Sequence, residues 1–346
     1  MEFTDVRAPE PDEGVPPWRD PRWLAEAEDW IGAACARAGL ARAGEAVGRA
    51  RVYSVVARVP VGGGTVWFKA SPPAASFEPA LLVALAGWYP DQFTPPVAVD
   101  LDRAWSLTRD GGPTLSERHP RPRDVGGWRV MLSAYGRLQF GLARRVGDLL
   151  GLGLADLRPA SVPGRFDRLL ADPATRRAVG TAGGITRAQY VSLRAVAPRL
   201  RAWCAELDDL GVPASLDHAD VHPNNVFAAA GTPFDWGDSA VAHPFASLLI
   251  ALRTAREHAG LPSRAPELAA LTEDYFAPWL EAGHRRADID RSLALALRIA
   301  PLARALTWGR VFPCYTYHPG TIGHAARAMA DVLDPDPLGP RRRRRR

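Results

Sequence analysis

The densest run of reactive side chains in the sequence lies at residues 217–225, which read Asp-His-Ala-Asp-Val-His-Pro-Asn-Asn. Within this run, His218, Asp220 and Asn225 stand in the order H-x-D-x-x-x-x-N, and a D-x-G triplet begins further on at Asp235. An aspartate in such a loop can accept the proton of a hydroxyl nucleophile, while amide and carboxylate oxygens can hold Mg²⁺. The two motifs predict Asp220 as a general base and Asn225 and Asp235 as magnesium ligands.

The sequence between the two motifs predicts a hairpin that brings the magnesium ligands together. The runs 226–228 and 232–234 can pair around a three-residue loop, 229–231, whose glycine suits a left-handed position. Symmetric pairing around this loop places Asn225 opposite Asp235, with the two side chains roughly 5 Å apart on one face. We therefore expect both side chains to bind one cation.

Lys69 is the only lysine among the 43 basic residues of the chain, and it lies in an apolar, strand-like run. An ammonium is a compact point charge that suits a nucleotide phosphate, whereas a guanidinium is a broad planar fork. A chain that otherwise uses arginine therefore has a reason to keep lysine at a phosphate site. The alternative interpretation is a solvent-facing lysine that survives in an arginine-rich composition.

Apolar periodicity and turn signals predict a small β-rich part followed by a larger helical part. In the first part we expect a helix, a hairpin, a helix that carries Glu78 and two further strands, at 21–40, 51–57 with 65–70, 76–87, 95–100 and 104–108. In the second part we expect helices near 124–150, 186–210, 244–258, 264–283, 288–310 and 320–333. The predicted domains are a disordered N-terminus, a nucleotide-binding lobe, a helical lobe with the catalytic loop and acceptor site, and a disordered Pro/Arg tail, at 1–20, 21–110, 111–334 and 335–346.

The motifs and their order resemble those of the aminoglycoside phosphotransferase superfamily, the small-molecule branch of the protein-kinase-like fold. The resemblance covers roughly residues 49–330. It implies an α+β, bilobed protein-kinase-like fold with a small β-rich N-lobe and a larger α-helical C-lobe. It also implies a phosphotransferase that moves the γ-phosphate of ATP or GTP to a hydroxyl of a small molecule such as an antibiotic, a sugar or an amino alcohol, with Mg²⁺ as cofactor.

The resemblance further implies a nucleotide site in the first part of the chain. It assigns Lys69 to the α- and β-phosphates, with Glu78 as the helix glutamate that pairs with it. It assigns the segment 105–110 to the hinge whose backbone holds adenine, and this includes Leu107 and Arg109 as nucleotide contacts.

The sequence departs from the protein-kinase pattern in two places. Residues 48–54 lack the glycine-rich loop that covers the phosphates in protein kinases, so Ser54 is the candidate to bind a phosphate there, with a plain turn residue as the alternative. The D-x-G triplet carries Trp236 where protein kinases carry phenylalanine. The tryptophan keeps an apolar anchor and leaves the preceding aspartate in place.

Two other functions stay open on the sequence. One is a catalytically silent kinase-like module that binds nucleotide. The other is a metal-dependent hydrolase in which His218, Asp220 and His222 hold zinc or iron, since imidazole and carboxylate suit both metals. The hydrolase interpretation leaves Lys69 and Glu78 without a role.

Composition indicates a globular protein, because 346 residues with 47% hydrophobic content can bury a sizeable core. Cys35, Cys204 and Cys314 lie far apart, so the sequence shows neither a disulfide framework nor a C-x-x-C zinc spacing. The N-terminal residues are acidic and rich in proline, unlike a secretory signal, and no apolar stretch approaches ~18 residues. We therefore expect a cytoplasmic protein with no membrane partner.

The net charge of +5 belongs to the six arginines at 341–346, because 37 basic residues face 38 acidic ones in the rest of the chain. The charge therefore does not indicate a nucleic-acid partner, and the expected partner is a small-molecule hydroxyl acceptor. Residues 240–330 carry ten arginines against seven acidic residues. This balance disfavours a polycationic aminoglycoside as the acceptor. Sugars, amino alcohols, nucleoside-like compounds and other natural products stay open, as does the oligomeric state.

Overall fold

The computed structural model of the chain describes residues 1–6, 17–51, 53–118, 126–229, 231–311 and 323–339. Contacts divide the chain into two compact units. The first contains Met1–Gly112 and a short later stretch, and the second contains Pro113–Gly309 and C-terminal residues that include 323–339. The first unit is built on a sheet and the second is mostly helical, which confirms the predicted α+β class.

The first unit is built around a six-stranded sheet. Its strands are β1 (Glu2–Val6), β2 (Val47–Ala50), β3 (Val55–Val61), β4 (Gly64–Ala70), β5 (Ala98–Asp100) and β6 (Trp105–Arg109), in the spatial order β1-β2-β3-β4-β6-β5. β1 runs parallel to β2, and the other neighbours are antiparallel. β3 and β4 form the predicted hairpin, whose two-residue turn contains Gly63 at φ +83°. Glycine adopts this left-handed conformation without a Cβ clash.

Two longer helices pack in the first unit, α1 (Pro21–Arg37) and α2 (Glu78–Trp88). α1 begins where the Asp20 side chain accepts a hydrogen bond from the Arg22 amide, an N-cap that satisfies one free helix donor. Its apolar face meets the sheet, where the rings of Trp23 and Trp30 lie edge-on to Trp105. This aromatic contact holds α1 against β6, the strand that carries Trp105.

The N-terminal residues are partly ordered, in contrast to the disorder predicted for 1–20. β1 pairs with β2, and the Glu2 amide donates to the Ala46 carbonyl at 2.8 Å. Met1 and Phe3 pack against the core of the first unit. A five-residue strand whose only large apolar residues are Phe3 and Val6 gives too little apolar pattern to be recognised in the sequence. Residues 7–16 of the predicted segment lie outside the described residues.

The helices of the second unit include all six of the long segments predicted for it. They are α3 (Leu115–Arg118), α4 (Gly126–Leu142), α5 (Val146–Gly151), α6 (Val162–Ala171), α7 (Pro173–Arg177), α8 (Arg187–Asp209), α9 (Leu248–Ala259), α10 (Pro266–Glu281), α11 (Arg286–Val311) and α12 (His324–Ala330). The predicted helices correspond to α4 with α5 and to α8 through α12. α3, α6 and α7 were not predicted, because a helix of one to three turns shows little periodicity.

Short strands in the second unit carry the predicted catalytic motifs. They are β7 (Ala155–Leu157), β8 (Ser215–Asp217), β9 (Val226–Phe227), β10 (Thr232–Pro233) and β11 (Ala240–Ala242). β11 lies between β7 and β8, parallel to the first and antiparallel to the second, while β9 and β10 form a separate hairpin. The H-x-D-x-x-x-x-N motif therefore begins directly after β8 and ends directly before β9.

The C-terminal residues 335–339 are held on the second unit, in contrast to the disorder predicted for 335–346. The buried Arg253 of α9 donates from Nε to the Pro337 carbonyl at 2.6 Å and from Nη1 to Asp331 at 3.1 Å. Ser263 donates to the Asp336 carboxylate at 2.6 Å. A buried guanidinium needs acceptors, and Pro337 of this segment supplies one of them. Residues 340–346 lie outside the described residues.

Candidate active site

The first unit contains the ion pair predicted between Lys69 and Glu78. Lys69 lies on β4, and its Nζ is 2.7 Å from Glu78 Oε1 on the first turn of α2. Ser71 donates from its hydroxyl to the other carboxylate oxygen, also at 2.7 Å. Glu78 is 2% exposed and Lys69 is 17% exposed. The buried carboxylate therefore has two donors, and the ammonium it holds remains partly accessible.

Arg109 and Leu107, both predicted to contact nucleotide, differ in what they offer to a ligand. Arg109 is exposed at the end of β6. Leu107 is fully buried, and its carbonyl accepts a hydrogen bond from the Val97 amide at 2.7 Å. The Leu107 side chain therefore belongs to the core and one acceptor site of its carbonyl is used within the sheet, and a contact of Leu107 with nucleotide stays a prediction.

Ser54, predicted to bind a phosphate, lies in the short connection between β2 and β3. It is buried, and its carbonyl accepts a hydrogen bond from the Arg51 amide at 2.8 Å. This contact closes a turn, which agrees with the alternative interpretation of Ser54 as a turn residue. A phosphate contact by Ser54 stays a prediction.

In the second unit, Asp220 lies in the loop that follows β8. Its Oδ1 accepts a hydrogen bond from Arg304 Nη1 at 2.7 Å, and its Oδ2 lies 3.5 Å from His222 Nε2. Its backbone carbonyl accepts a hydrogen bond from Asn225 Nδ2 at 3.1 Å. The residue before it, Ala219, has φ +60°, in the left-handed region. The predicted base and one predicted metal ligand are thus joined by a direct hydrogen bond.

The charge state of Asp220 suits a proton acceptor. Burial raises the pKa of the carboxyl group, but the nearby His222 ring and the charge of Arg304 outweigh burial and hold the pKa well below its ordinary value. Asp220 is therefore ionised at neutral pH. A general base must be deprotonated before it can accept a proton.

The hairpin that carries Asn225 and Asp235 has a different register from the predicted one. Thr232 pairs with Phe227, so the loop contains four residues rather than three. The Phe234 amide donates to the Asn225 carbonyl at 2.9 Å, which makes Phe234 the residue opposite Asn225. The prediction that Asp235 lies opposite Asn225 is wrong by one residue. The predicted left-handed glycine is present, since the loop ends at a glycine with φ +63°.

Asp235 lies where the chain leaves the hairpin. Its backbone is left-handed, at φ +64°, and it precedes a short 3₁₀ turn at Trp236–Asp238. A left-handed aspartate is uncommon but tolerated, since its short polar side chain can bond locally. The turn directs the chain away from the strand and leaves Asp235 exposed.

The donor set of these residues fits a magnesium ion. Asn225 uses its amide nitrogen toward the Asp220 carbonyl, so its amide oxygen is the atom left for a cation. The exposed carboxylate of Asp235 is a second hard oxygen donor. Mg²⁺ is usually held by one or two protein oxygens together with water and substrate phosphates. Asn225 and Asp235 would thus be sufficient as the protein ligands of a magnesium ion.

The structure does not favour the metal-dependent hydrolase. Within the described residues, no three His, Cys, Asp or Glu side chains are grouped to hold a metal ion. His218 is fully buried, with Nε2 2.9 Å from the Phe234 carbonyl and its ring 4.7 Å from that of Trp236. His218 therefore supports the loop as a packing residue.

A buried polar network beneath the loop was not predicted. The His218 amide donates to the Tyr135 hydroxyl at 3.0 Å, and Tyr135 bonds Ser247 at 2.9 Å. The Ser247 hydroxyl donates to the buried carboxylate of Asp217, whose pKa is raised by burial. Gln139, one turn beyond Tyr135 on α4, donates to the Leu216 carbonyl at 2.7 Å. The sequence contained one sign of this network, since Tyr135 and Gln139 are polar side chains four residues apart on an apolar helix face.

Arg304 was also missed. It lies on α11, 84 residues from Asp220 along the sequence. Nothing in the sequence around Arg304 distinguishes it from the other arginines of that helix. Only the folded chain shows that its guanidinium reaches the loop.

A family comparison decides what class of protein carries this site. A model of the phosphotransferase enzyme family, APH, matches residues 85–289, more than half of the chain. The chain belongs to this family. The chain is therefore a phosphotransferase, as the resemblance of its motifs implied. No curated protein sequence matches the chain.

Solved structures of phosphotransferases share the fold of this family member. The macrolide 2'-phosphotransferase of Brachybacterium faecium is 20% identical, with 92% of this chain and 100% of that chain covered and a TM-score of 0.54. The ethanolamine kinase of Plasmodium vivax is 10% identical, with coverages of 86% and 83% and a TM-score of 0.53. A choline/ethanolamine kinase family protein of Mesorhizobium loti is 14% identical, with coverages of 85% and 88% and a TM-score of 0.52. These likenesses confirm the predicted kinase-like fold.

None of the helices in the described part of the chain combines the length and the apolar character that crossing a bilayer requires.

Proposed function

We propose that this phosphotransferase moves the γ-phosphate of ATP or GTP to a hydroxyl of a small molecule, with Asp220 as the general base. The observation that carries the proposal is the hydrogen bond from Asn225 Nδ2 to the Asp220 carbonyl. It makes the base and a cation ligand one rigid unit. Such a unit can hold an ionised carboxylate at a fixed place relative to a metal-bound phosphate.

The proposed reaction balances without a further reactant. The acceptor oxygen forms a bond to the γ-phosphorus as its proton passes to the Asp220 carboxylate. The bond between the γ-phosphorus and the bridging oxygen breaks, and the electron pair leaves with the nucleoside diphosphate. The low pKa of Asp220 keeps the carboxylate ionised until the hydroxyl arrives.

We assign the remaining predicted residues to nucleotide binding. Asn225 and Asp235 would hold Mg²⁺, which neutralises charge on the phosphates when bound. Lys69, held by Glu78, would bind the α- and β-phosphates, because a partly exposed ammonium with a buried counter-ion is a fixed point charge. The Arg109 backbone would bind the base.

The acceptor we propose is neutral or only weakly cationic. Macrolides, ethanolamine and choline are the compounds that the names of the structural neighbours give. Residues 240–330 carry more arginine than acid, and a positive region repels a polycation. A hydroxyl-bearing natural product or a sugar suits this charge better than a multiply charged aminoglycoside.

The proposal is tested by a screen for acceptor-dependent release of nucleoside diphosphate. Antibiotics, sugars and amino alcohols are each incubated with ATP or GTP, with Mg²⁺ or with a chelator, and phosphorylated products are identified by ³¹P NMR. We expect at least one hydroxyl compound to gain phosphate only when Mg²⁺ is present. Tight binding of both nucleotides with no transfer of phosphate to any class of acceptor would instead support the catalytically silent nucleotide-binding module.

A further inference from the structure

Arg304 makes two contacts with the loop that carries the proposed base. From one nitrogen, Nη1, it donates to Asp220 Oδ1 at 2.7 Å and to the Ala219 carbonyl at 3.2 Å. The side chains of Arg304 and Asp220 are 24% and 26% exposed. A guanidinium is planar and rigid at its head, so two bonds from it fix position as well as charge.

The backbone contact acts at a strained point of the loop. Ala219 is left-handed, at φ +60°, a conformation that costs an ordinary residue about 1–2 kcal/mol. The Ala219 carbonyl belongs to the peptide group that precedes Asp220. A donor on this carbonyl holds that peptide plane, and with it the direction in which the Asp220 side chain leaves the backbone.

The side-chain contact distinguishes the two oxygens of the carboxylate. Oδ1 is bonded to Arg304, whereas Oδ2 has His222 Nε2 at 3.5 Å, beyond the usual length of a hydrogen bond. Oδ2 is therefore the less tightly held oxygen and the one better able to accept a proton. By occupying Oδ1, Arg304 determines which oxygen is presented to an acceptor hydroxyl.

Other arginines of α11 form a different kind of ion pair. Arg291 pairs with Glu206, and these side chains are 50% and 42% exposed. Exposed pairs of this kind contribute about 0–1 kcal/mol to stability, and they do not hold either side chain firmly in one position. The Arg304 pair is about half as exposed and also involves a backbone carbonyl.

We propose that Arg304 is a positioning residue that holds Asp220 in the orientation for proton transfer. The inference rests on the proposed role of Asp220 as the base. Arg304 acts through Asp220 and the Ala219 carbonyl, and not through the nucleotide. Its removal leaves nucleotide binding intact and slows the transfer step.

The test compares Arg304→Met, Arg304→Lys and the control Arg291→Met, which removes an arginine from the exposed face of the same helix. Steady-state kcat, KM for acceptor and for nucleotide, and the thermal unfolding midpoint are measured for each. We expect Arg304→Met to lower kcat by about 10²-fold, the size of effect that a small misplacement of a reacting group produces. Both KM values stay at the native level, Arg304→Lys recovers part of kcat, and Arg291→Met behaves as native.

Asp220→Asn separates this inference from the proposed function. Loss of transfer in Asp220→Asn together with native kcat in folded Arg304→Met overturns the role of Arg304 alone. Native transfer in Asp220→Asn overturns both. A raised KM for acceptor at unchanged kcat in Arg304→Met would make Arg304 an acceptor-binding residue, which also overturns the inference. If the methionine variant does not fold, Arg304→Gln, which is neutral but polar, is measured in its place against the same criteria.

Discussion

The ammonium of Lys69 is held by a carboxylate that is itself almost completely buried. Glu78 accepts from both Lys69 and Ser71, so its two oxygens are occupied and its position on α2 is fixed. A buried carboxylate that loses its charged partner is strongly destabilised. The pair therefore maintains both the first turn of α2 and the direction of the ammonium.

Replacement of Lys69 by arginine should impair nucleotide use even though the charge is kept. The wider guanidinium cannot lie where an ammonium 2.7 Å from Glu78 lies and still present a compact charge to a phosphate. We expect kcat/KM for the nucleotide to fall by about 10²-fold, the size of effect seen when one donor to a reacting group is lost. The measurement is steady-state phosphate transfer at varied nucleotide concentration.

Arg58→Lys is the matched control for Lys69→Arg. Arg58 is exposed on the neighbouring strand β3, where the reverse exchange of cations takes place at the surface. We expect native kinetics from this variant. Native kcat/KM in Lys69→Arg would instead show that Lys69 is the solvent-facing lysine of the alternative interpretation.

His243 gives the protein a predictable response to acid. The imidazole is buried, and its Nδ1 accepts a hydrogen bond from the Phe245 amide at 3.2 Å. Burial lowers the pKa of His243 from 6.5 to about 3. Between these two values the unfolded chain binds a proton that the folded chain excludes. The free energy of unfolding therefore falls as the pH is lowered from 6.5 toward 3.

The contribution of His243 can be measured by urea unfolding at several pH values between 7 and 4. One such group changes the unfolding free energy by at most about 1.4 kcal/mol per pH unit. His243→Asn keeps a side-chain acceptor for the Phe245 amide but does not titrate. We expect a shallower pH dependence in the variant, and parallel curves for the two proteins would contradict this account.

At the scale of elements, the catalytic loop depends on how closely α4 and α10 approach. Gly136 of α4 faces the backbone of α10, where an added Cβ would overlap the Tyr275 carbonyl. Tyr275 donates from its hydroxyl to Gln139 on the facing helix at 2.6 Å. Gln139 in turn bonds the Leu216 carbonyl of β8, which leads into the loop. The close helix contact thus sets the position of the network beneath Asp220.

Gly136→Ala should destabilise the second unit. The new methyl group forces the helices apart, and such overpacking costs about 1–3 kcal/mol. We also expect a lower rate of phosphate transfer, since the Tyr275 to Gln139 contact lengthens. Urea unfolding and transfer assays measure the two effects.

Gly147→Ala is the control for the helix contact. Gly147 lies on α5, and a Cβ there has no atom within 4 Å. In a helix, alanine is favoured over glycine by about 1 kcal/mol, so this variant should be as stable as the native protein or more so. Equal loss of stability in both variants would show that the approach of α4 to α10 is not the cause.

The longer elements could be predicted because their apolar residues repeat with the period of the structure. In α8, the buried residues Leu193, Leu200, Cys204 and Leu207 recur at helical spacing, and the predicted bounds of 186–210 differ by one residue at each end. The three-residue strands β7, β8 and β11 show no period, so nothing local reveals them. Their positions depend on pairing between residues far apart in sequence.

The sequence predicted the residues proposed to act in the site. It did not predict the hairpin register or the side chains that hold those residues in place. The motif spacing indicated Asp220, Asn225 and Asp235, but the register of their hairpin depended on a loop longer by one residue. Arg304 and Tyr135 reach the loop across 84 and 83 residues of sequence. A contact of this separation exists only after the second unit has folded.

For the molecule as a whole, charge and family membership narrow the function. Without the arginines at 341–346 the chain is close to neutral, so its net charge gives no reason to expect a polyanionic partner. The family match places the chain among phosphotransferases. Both facts are consistent with the acceptor that we propose, a small molecule with a hydroxyl group.

The central claim is that Asp220 accepts the proton of the acceptor hydroxyl. The most direct measurement is the single-turnover rate at which labelled γ-phosphate passes from saturating nucleotide to an acceptor from the screen, in native protein and in Asp220→Asn. We predict a loss of about 10²–10⁴-fold in the variant, the usual contribution of a general base, with nucleotide affinity unchanged. Transfer by Asp220→Asn at the native rate would contradict the claim.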